Sequence, residues 1–227
     1  MTRARWIGLV IVALVVEATL VRLGVVTDPI PKLAGTAAWT TSRAAGVTAF
    51  AALTLDVMFG LFVSTGLIDR WVPRGASVDV HKWLSSVALT LVGVHSLALL
   101  VDPAVHFDAL DALVPGMSSY RAGAIAIGVL AMYGALVVHL SFGWRKRIGV
   151  RAWRALHFTA FLVFVGAIVH GMLAGSDAAH HGMRALYAGS GVVVTGLVVI
   201  RIAAAIFRRA RTVQTVRRGV VAAPVRL

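Results

Sequence analysis

Trp153-Arg154-Ala155-Leu156-His157 opens an apolar run that reaches His170-Gly171. An earlier stretch, His81-Lys82-Trp83, opens a second run that reaches His95. Each run is one hydrophobic segment with an imidazole at its start and another most of the way along it. Ionisable side chains are costly in hydrocarbon and mark function when they occur there, so four imidazoles in two segments need a common reason.

Composition establishes that these are membrane segments. The chain has 227 residues, of which 59% are hydrophobic and 14% charged. A soluble domain carries about 45–50% apolar and about 25% charged residues. The excess is gathered into runs of about twenty residues, the length that crosses a hydrocarbon core about 30 Å thick. They fall at residues 6–26, 44–68, 79–101, 120–142, 155–173 and 185–207. Asp28-Pro29-Ile30-Pro31 ends the first, because proline lacks a donor and restricts its neighbour. Asp69-Arg70-Trp71-Val72-Pro73-Arg74-Gly75 is a polar turn after the second, and Asp79 is the predicted N-cap of the third. The expected fold is an all-α membrane protein, a six-transmembrane-helix bundle over residues 1–207. A basic cytoplasmic tail over 208–227, with six arginines, is expected to be mobile and to lie on anionic lipid.

The net charge of +13 could indicate nucleic acid. The basic residues instead gather in short loops and in the tail, as in the cytoplasmic loops of membrane proteins. The bilayer, and not nucleic acid, is the expected partner. Arg3 and Arg5, Arg70 with Arg74 and Lys82, the 145–151 cluster and the tail fall on one side; the loops around Asp102 and Asp177 fall on the other. This predicts a multi-pass protein of the plasma or inner membrane with both termini cytoplasmic. No cleavable leader is expected, since the first run is too long for one. There are no cysteines, which excludes disulfides, thiolate catalysis, iron–sulfur ligation and covalent attachment of c-type haem.

With that orientation the third and fifth segments both run outward. His81 and His157 lie at one depth near the cytoplasmic face, and His95 and His170 at another near the outer face. Fourteen residues separate the first two along the chain and thirteen the second two, a rise of about 20 Å in each case. Two parallel helices thus present two imidazole pairs, one above the other, and each pair suits one haem iron. Two imidazoles leave no open position on the metal, which favours electron transfer over oxygen chemistry. Each ligand must be neutral and donate its other ring N–H; the carbonyl four residues earlier, Leu91 for His95, is the expected acceptor. Fourteen residues return a side chain to within about 40° of one face, but thirteen leave it about 140° away. The fifth segment is therefore expected to be tilted or distorted, with Gly166 a place for a bend. A lone membrane histidine more often makes a helix–helix hydrogen bond, and His139, unmatched in depth, is assigned that role.

Haem propionates need cationic partners. Arg43 and Arg121, at the outer mouths of the second and fourth segments, suit the outer haem; Lys82 and Arg154 suit the inner one. Ordinary interfacial anchoring explains these four equally well. Trp83 and Trp153 are expected as interfacial belt residues. Asp56 and Glu17 are expected to make buried hydrogen bonds or to be protonated, with a proton path as the alternative. His106, His180, His181 and the aspartates beside them are expected in a solvated outer loop.

The two histidine spacings, and Trp153-Arg154-Ala155-Leu156-His157 after a basic loop, resemble the ferric reductase-like transmembrane domain. That family includes ferric reductases, the membrane core of NADPH oxidases and the haem-binding membrane subunit of the bacterial methionine-sulfoxide reductase system. The resemblance runs from the first segment to the sixth. It implies two stacked b-type haems between the third and fifth helices, with His81 and His157 on the inner iron and His95 and His170 on the outer. The sequence departs from the full-length reductases in having no Gly-rich dinucleotide fingerprint between a strand and a helix. The expected function is transmembrane electron transfer by an oxidoreductase component without its own FAD or NAD domain. Its donor would be a separate cytoplasmic flavoprotein, and its acceptor an extracytoplasmic protein or ferric iron. A quinol-linked haem subunit feeding a periplasmic reductase is one alternative; a metal-binding transporter or assembly factor is another.

Overall fold

The computed structural model describes residues 37–102 and 107–221, with side chains as far as Phe207. The predicted first segment, with Glu17 and Arg22, lies outside the described residues, as do Arg3, Arg5, the prolines at 29 and 31, His106 and Arg226. All regular structure among the described residues is helical: α1 Ala37–Thr65, α2 Arg74–Leu100, α3 Ala109–Leu113, α4 Ala122–Ile148, α5 Val150–Phe158, α6 Ala160–Ala174 and α7 His181–Val221. Helices α1, α2 and α4 are each long and apolar enough to cross a bilayer. So are the run Val150–Ala174, made of α5 and α6, and the first part of α7, His181–Phe207.

The turns follow from local chemistry. Gly66 takes a left-handed φ of 73° at the end of α1, a conformation open to glycine at little cost. Pro73 then precedes α2, and Arg74 Nη2 reaches back 2.7 Å to the Val63 carbonyl, one of the last-turn acceptors of α1 that have no partner within their helix. Helix α2 therefore begins five residues before Asp79, which sits inside it and lies 3.8 Å from Lys82. Asp79 is not the cap, because proline supplies the start. Gly149, at φ 81°, joins α4 to α5, just beyond Arg145, Lys146 and Arg147, whose charges suit the negative end of α4.

Helix α1 is the centre of the bundle. Half of its most apolar window (50%) is buried, against 11% for each of the last two spans. One core cluster joins Phe50, Val57 and Leu61 of α1 to Phe164 of α6 and Met183, Tyr187 and Val194 of α7. A second, built on Ala49 and Ala52 of α1 with Val87, Ala88 and Leu91 of α2, uses small residues to bring two backbones close. Large apolar side chains elsewhere point outward, among them Leu130, Leu136 and Leu140 on α4, Leu162 on α6 and Val192 and Ile206 on α7. So much contiguous apolar surface is untenable in water; for a multi-pass membrane protein it is the face that meets lipid.

Two differences from expectation bear on the site. The fifth span is broken, but at Thr159 and not at Gly166. The Thr159 N–H turns to the Leu156 carbonyl at 3.0 Å, three residues back, and its hydroxyl donates to the same oxygen at 2.6 Å. Gly166 is instead a packing position, where a Cβ would stand 3.3 Å from Ala131 of α4. The last helix also continues past the apolar run to Val221, so most of the predicted tail is helical.

Candidate functional site

Helices α2 and α5–α6 run in the same direction, flanked by α1 and α4, and make little backbone contact with each other. The four histidines line the space between them. His81 and His157 each lie seven residues after the first residue of their helix. The ring centres of His81 and His157 are 6.0 Å apart, and those of His95 and His170 are 6.4 Å apart. A first-row metal binds imidazole nitrogen at about 2 Å, with the ring centre roughly 1 Å further back, so two imidazoles on opposite faces of one ion have centres roughly 6 Å apart. A direct N–H···N bond of about 3 Å would draw the centres in to about 5 Å. Both pairs therefore have the separation of two ligands to one metal. The thirteen-residue step from His157 to His170 contains the Thr159 break.

Three of the four rings are tied by Nδ1 to a main-chain oxygen. His81 Nδ1 lies 3.0 Å from Asp56 O, His95 Nδ1 2.7 Å from Ser42 O, and His170 Nδ1 2.8 Å from Ala124 O. Donation through Nδ1 fixes the tautomer and leaves Nε2 free to bind metal. The acceptors are on neighbouring helices, α1 and α4, and not four residues back on the histidine's own helix; Leu91 does not serve His95. In each case a glycine follows the acceptor by four residues: Gly46 after Ser42, Gly60 after Asp56, Gly128 after Ala124. A helical carbonyl points along the axis towards residue i+4, and without a Cβ at that residue the imidazole can approach it from the side. A Cβ would stand 3.0 Å from His95 Nδ1 at Gly46, 3.2 Å from His81 Cε1 at Gly60 and 2.5 Å from His170 Nδ1 at Gly128.

The sequence reading missed these glycines, although a signal was present. Glycine in a helix interior costs about 1 kcal/mol relative to alanine, and Gly46 and Gly60 repeat the fourteen-residue spacing of His81 and His95. His157 is the exception. Its Nδ1 is buried without a hydrogen-bond partner among the described residues, and its ring stacks on Trp153, with centres 5.1 Å apart. Trp153 is thus a wall of the inner site rather than only an interfacial anchor. Trp83 packs beside the Ala49–Val87 cluster.

A cavity of about 450 Å³ lies beside the outer pair, within the range of about 300–1,000 Å³ usual for pockets of cofactor size. His95, His170, Gly46 and Gly128 form part of its wall, with Val47, Phe50, Ile125 and Val163. His81 and His157 stand outside that wall. Two imidazoles per site, in a largely apolar setting, form a donor set that suits iron in a porphyrin better than a hard cation.

The polar residues assigned to propionates are placed differently from one another. Arg43 is buried and ion-paired through Nε and Nη2 with Asp177, itself buried in the loop before α7. Arg121 is exposed and donates through Nη1 to the Leu173 carbonyl at 2.5 Å, while Tyr120 Oη donates to Ala174 O at 3.2 Å; together they close the last turn of α6. Arg121 adopts a left-handed φ of 45°, uncommon outside glycine. Lys82 and Arg154 are exposed. The outer loops are less simply solvated than expected. Asp102 and Asp177 are buried, and Asp108 and Asp111 cap α3 reciprocally, with Asp108 accepting from the Leu110 and Asp111 amides at 2.8 and 2.9 Å. His139 Nδ1 lies 2.9 Å from Ser85 Oγ, a contact between α4 and α2 of the kind assigned to it.

Comparison with known proteins finds no matching family model, no matching curated protein and no matching solved structure.

Proposed function

We propose that this chain is a membrane cytochrome of type b that relays single electrons across a bilayer. His81 with His157 would hold an inner haem, and His95 with His170 an outer one. The group would supply reversible one-electron exchange between ferric and ferrous iron at each site. The chain's part is to set two such sites one above the other, keep water out and hold three of the four ligands, His81, His95 and His170, in one tautomer. The observation that carries this proposal is the pair of ring separations, 6.0 and 6.4 Å, on histidines whose Nδ1 atoms are mostly tied away. Ligands on both faces of the metal leave no position for oxygen. The donor would be a reduced flavoprotein or quinol, and the acceptor ferric iron or an extracytoplasmic protein.

The test is a dithionite-reduced minus oxidised absorption spectrum with haem-to-protein stoichiometry. A ratio near two is expected in the wild type and near one in His95→Ala, with the inner signal retained. A colourless protein, or an unchanged ratio in His95→Ala, overturns the proposal.

A further inference from the structure

The two histidine pairs differ in the charge of the groups behind Nδ1. His95 Nδ1 faces the Ser42 carbonyl and, at 3.0 Å, the Ser42 hydroxyl, which donates onward to His95 O. His170 Nδ1 faces the Ala124 carbonyl. All of these are neutral groups. His81 Nδ1 faces the Asp56 carbonyl and also the Asp56 side chain, whose Oδ1 stands 2.7 Å away, off the line taken by the hydrogen bond. Asp56 is 9% exposed, and among the described residues no lysine or arginine pairs with it. Lys82 is beside Asp79, and Arg201 lies over the Phe158 ring. Asp177, the acid at the outer end, is matched by Arg43. Among the described residues, His81 is the one of the four imidazoles backed by a carboxylate.

We infer that Asp56 is a positioning residue that makes the inner pair the more electron-rich of the two and so gives the relay its direction. This rests on the proposed haem sites. A carboxylate held 2.7 Å behind a ligating imidazole sets acceptor oxygen against its Nδ1 side and raises the ring's basicity towards the metal. A more basic ligand stabilises the ferric over the ferrous state. The inner site therefore holds an electron less tightly than the outer. An electron delivered from the cytoplasmic side runs downhill to His95 and His170, and from there to the acceptor. One electron leaves the reduced flavin or quinol and one arrives at the acceptor; no bond is made or broken between the two sites.

The experiment is a potentiometric titration of the full-length, haem-loaded protein in detergent, read by absorbance and by the low-spin ferric electron paramagnetic resonance signals. His95→Ala identifies which component is inner. In Asp56→Asn the inner midpoint is expected to rise towards the outer one and the inner resonance to shift, with the outer component unmoved; Asp56→Glu should return both part of the way. Ser42→Asp, which sets a carboxylate behind His95, should lower the outer midpoint instead. An inner midpoint unmoved in Asp56→Asn with both haems retained overturns the inference and leaves the haem sites standing. If Asp56→Asn loses the inner haem, Ser42→Asp decides: a lowered outer midpoint supports the inference and an unmoved one overturns it. A wild type without haem overturns both proposals at once.

Discussion

At the scale of single residues, the site depends on atoms that are missing as much as on those present. Gly128 leaves room for His170, and a methyl group there would fall 2.5 Å from Nδ1, well inside van der Waals contact and against a ring already fixed by Ala124 O. On the proposed haem sites, Gly128→Ala should therefore lose the group at His95 and His170 and keep the one at His81 and His157, read as a haem-to-protein stoichiometry near one. Gly60→Ala meets His81 at 3.2 Å, which a small rotation relieves, so it should keep two haems. Two haems in both variants would show that the outer ring has slack that its packing does not suggest. The histidines themselves stood out in the sequence because ionisable side chains are rare and costly in hydrocarbon. Their tethers did not. An imidazole that aims Nε2 across a gap cannot also turn Nδ1 to its own helix, so the acceptor has to come from a neighbour, and which neighbour is a matter of tertiary packing.

At the scale of elements, the buried pair Arg43–Asp177 ties the start of α1 to the loop between α6 and α7. Removing one partner leaves the other charge buried, at a cost of about 3–5 kcal/mol, whereas replacing both with apolar residues is often neutral. Asp177→Asn should thus lower the detergent melting temperature markedly, and Arg43→Leu combined with Asp177→Leu should recover most of the loss. A double variant as unstable as the single would place the value of the pair in something other than charge matching. Element positions were largely readable beforehand, since bilayer thickness forces the length of each apolar run. Their ends were not, because helical hydrogen bonding does not stop where the apolar run does: α4 continues to Ile148 and α7 to Val221. The break at Thr159 carries neither glycine nor proline. It comes from a hydroxyl competing for the Leu156 carbonyl, a choice threonine makes only in some settings.

At the scale of the whole molecule, the helix order places the turn at residues 66–73 and Gly149 at one end of the bundle, and residues 107–121 with 175–180 at the other. The absence of cysteine allows a clean test of sidedness. In sealed vesicles a membrane-impermeant thiol reagent should reach Trp71→Cys from the same side as Gly149→Cys, and Leu113→Cys from the opposite side. Labelling of all three from one side would refute the crossing pattern. Helix α1 serves both storeys at once. Ser42 and Asp56, its two acceptors, stand fourteen residues apart, as do His95 and His81 on the antiparallel α2. The two helices act as matched rulers with two shared graduations. Exchanging one letter on either ruler disturbs one storey, while inserting or deleting a residue between the marks throws one of them out of step by a third of a turn. Side chains on α1 away from these contacts can change singly, whereas a change in the count of residues between its marks moves a whole storey.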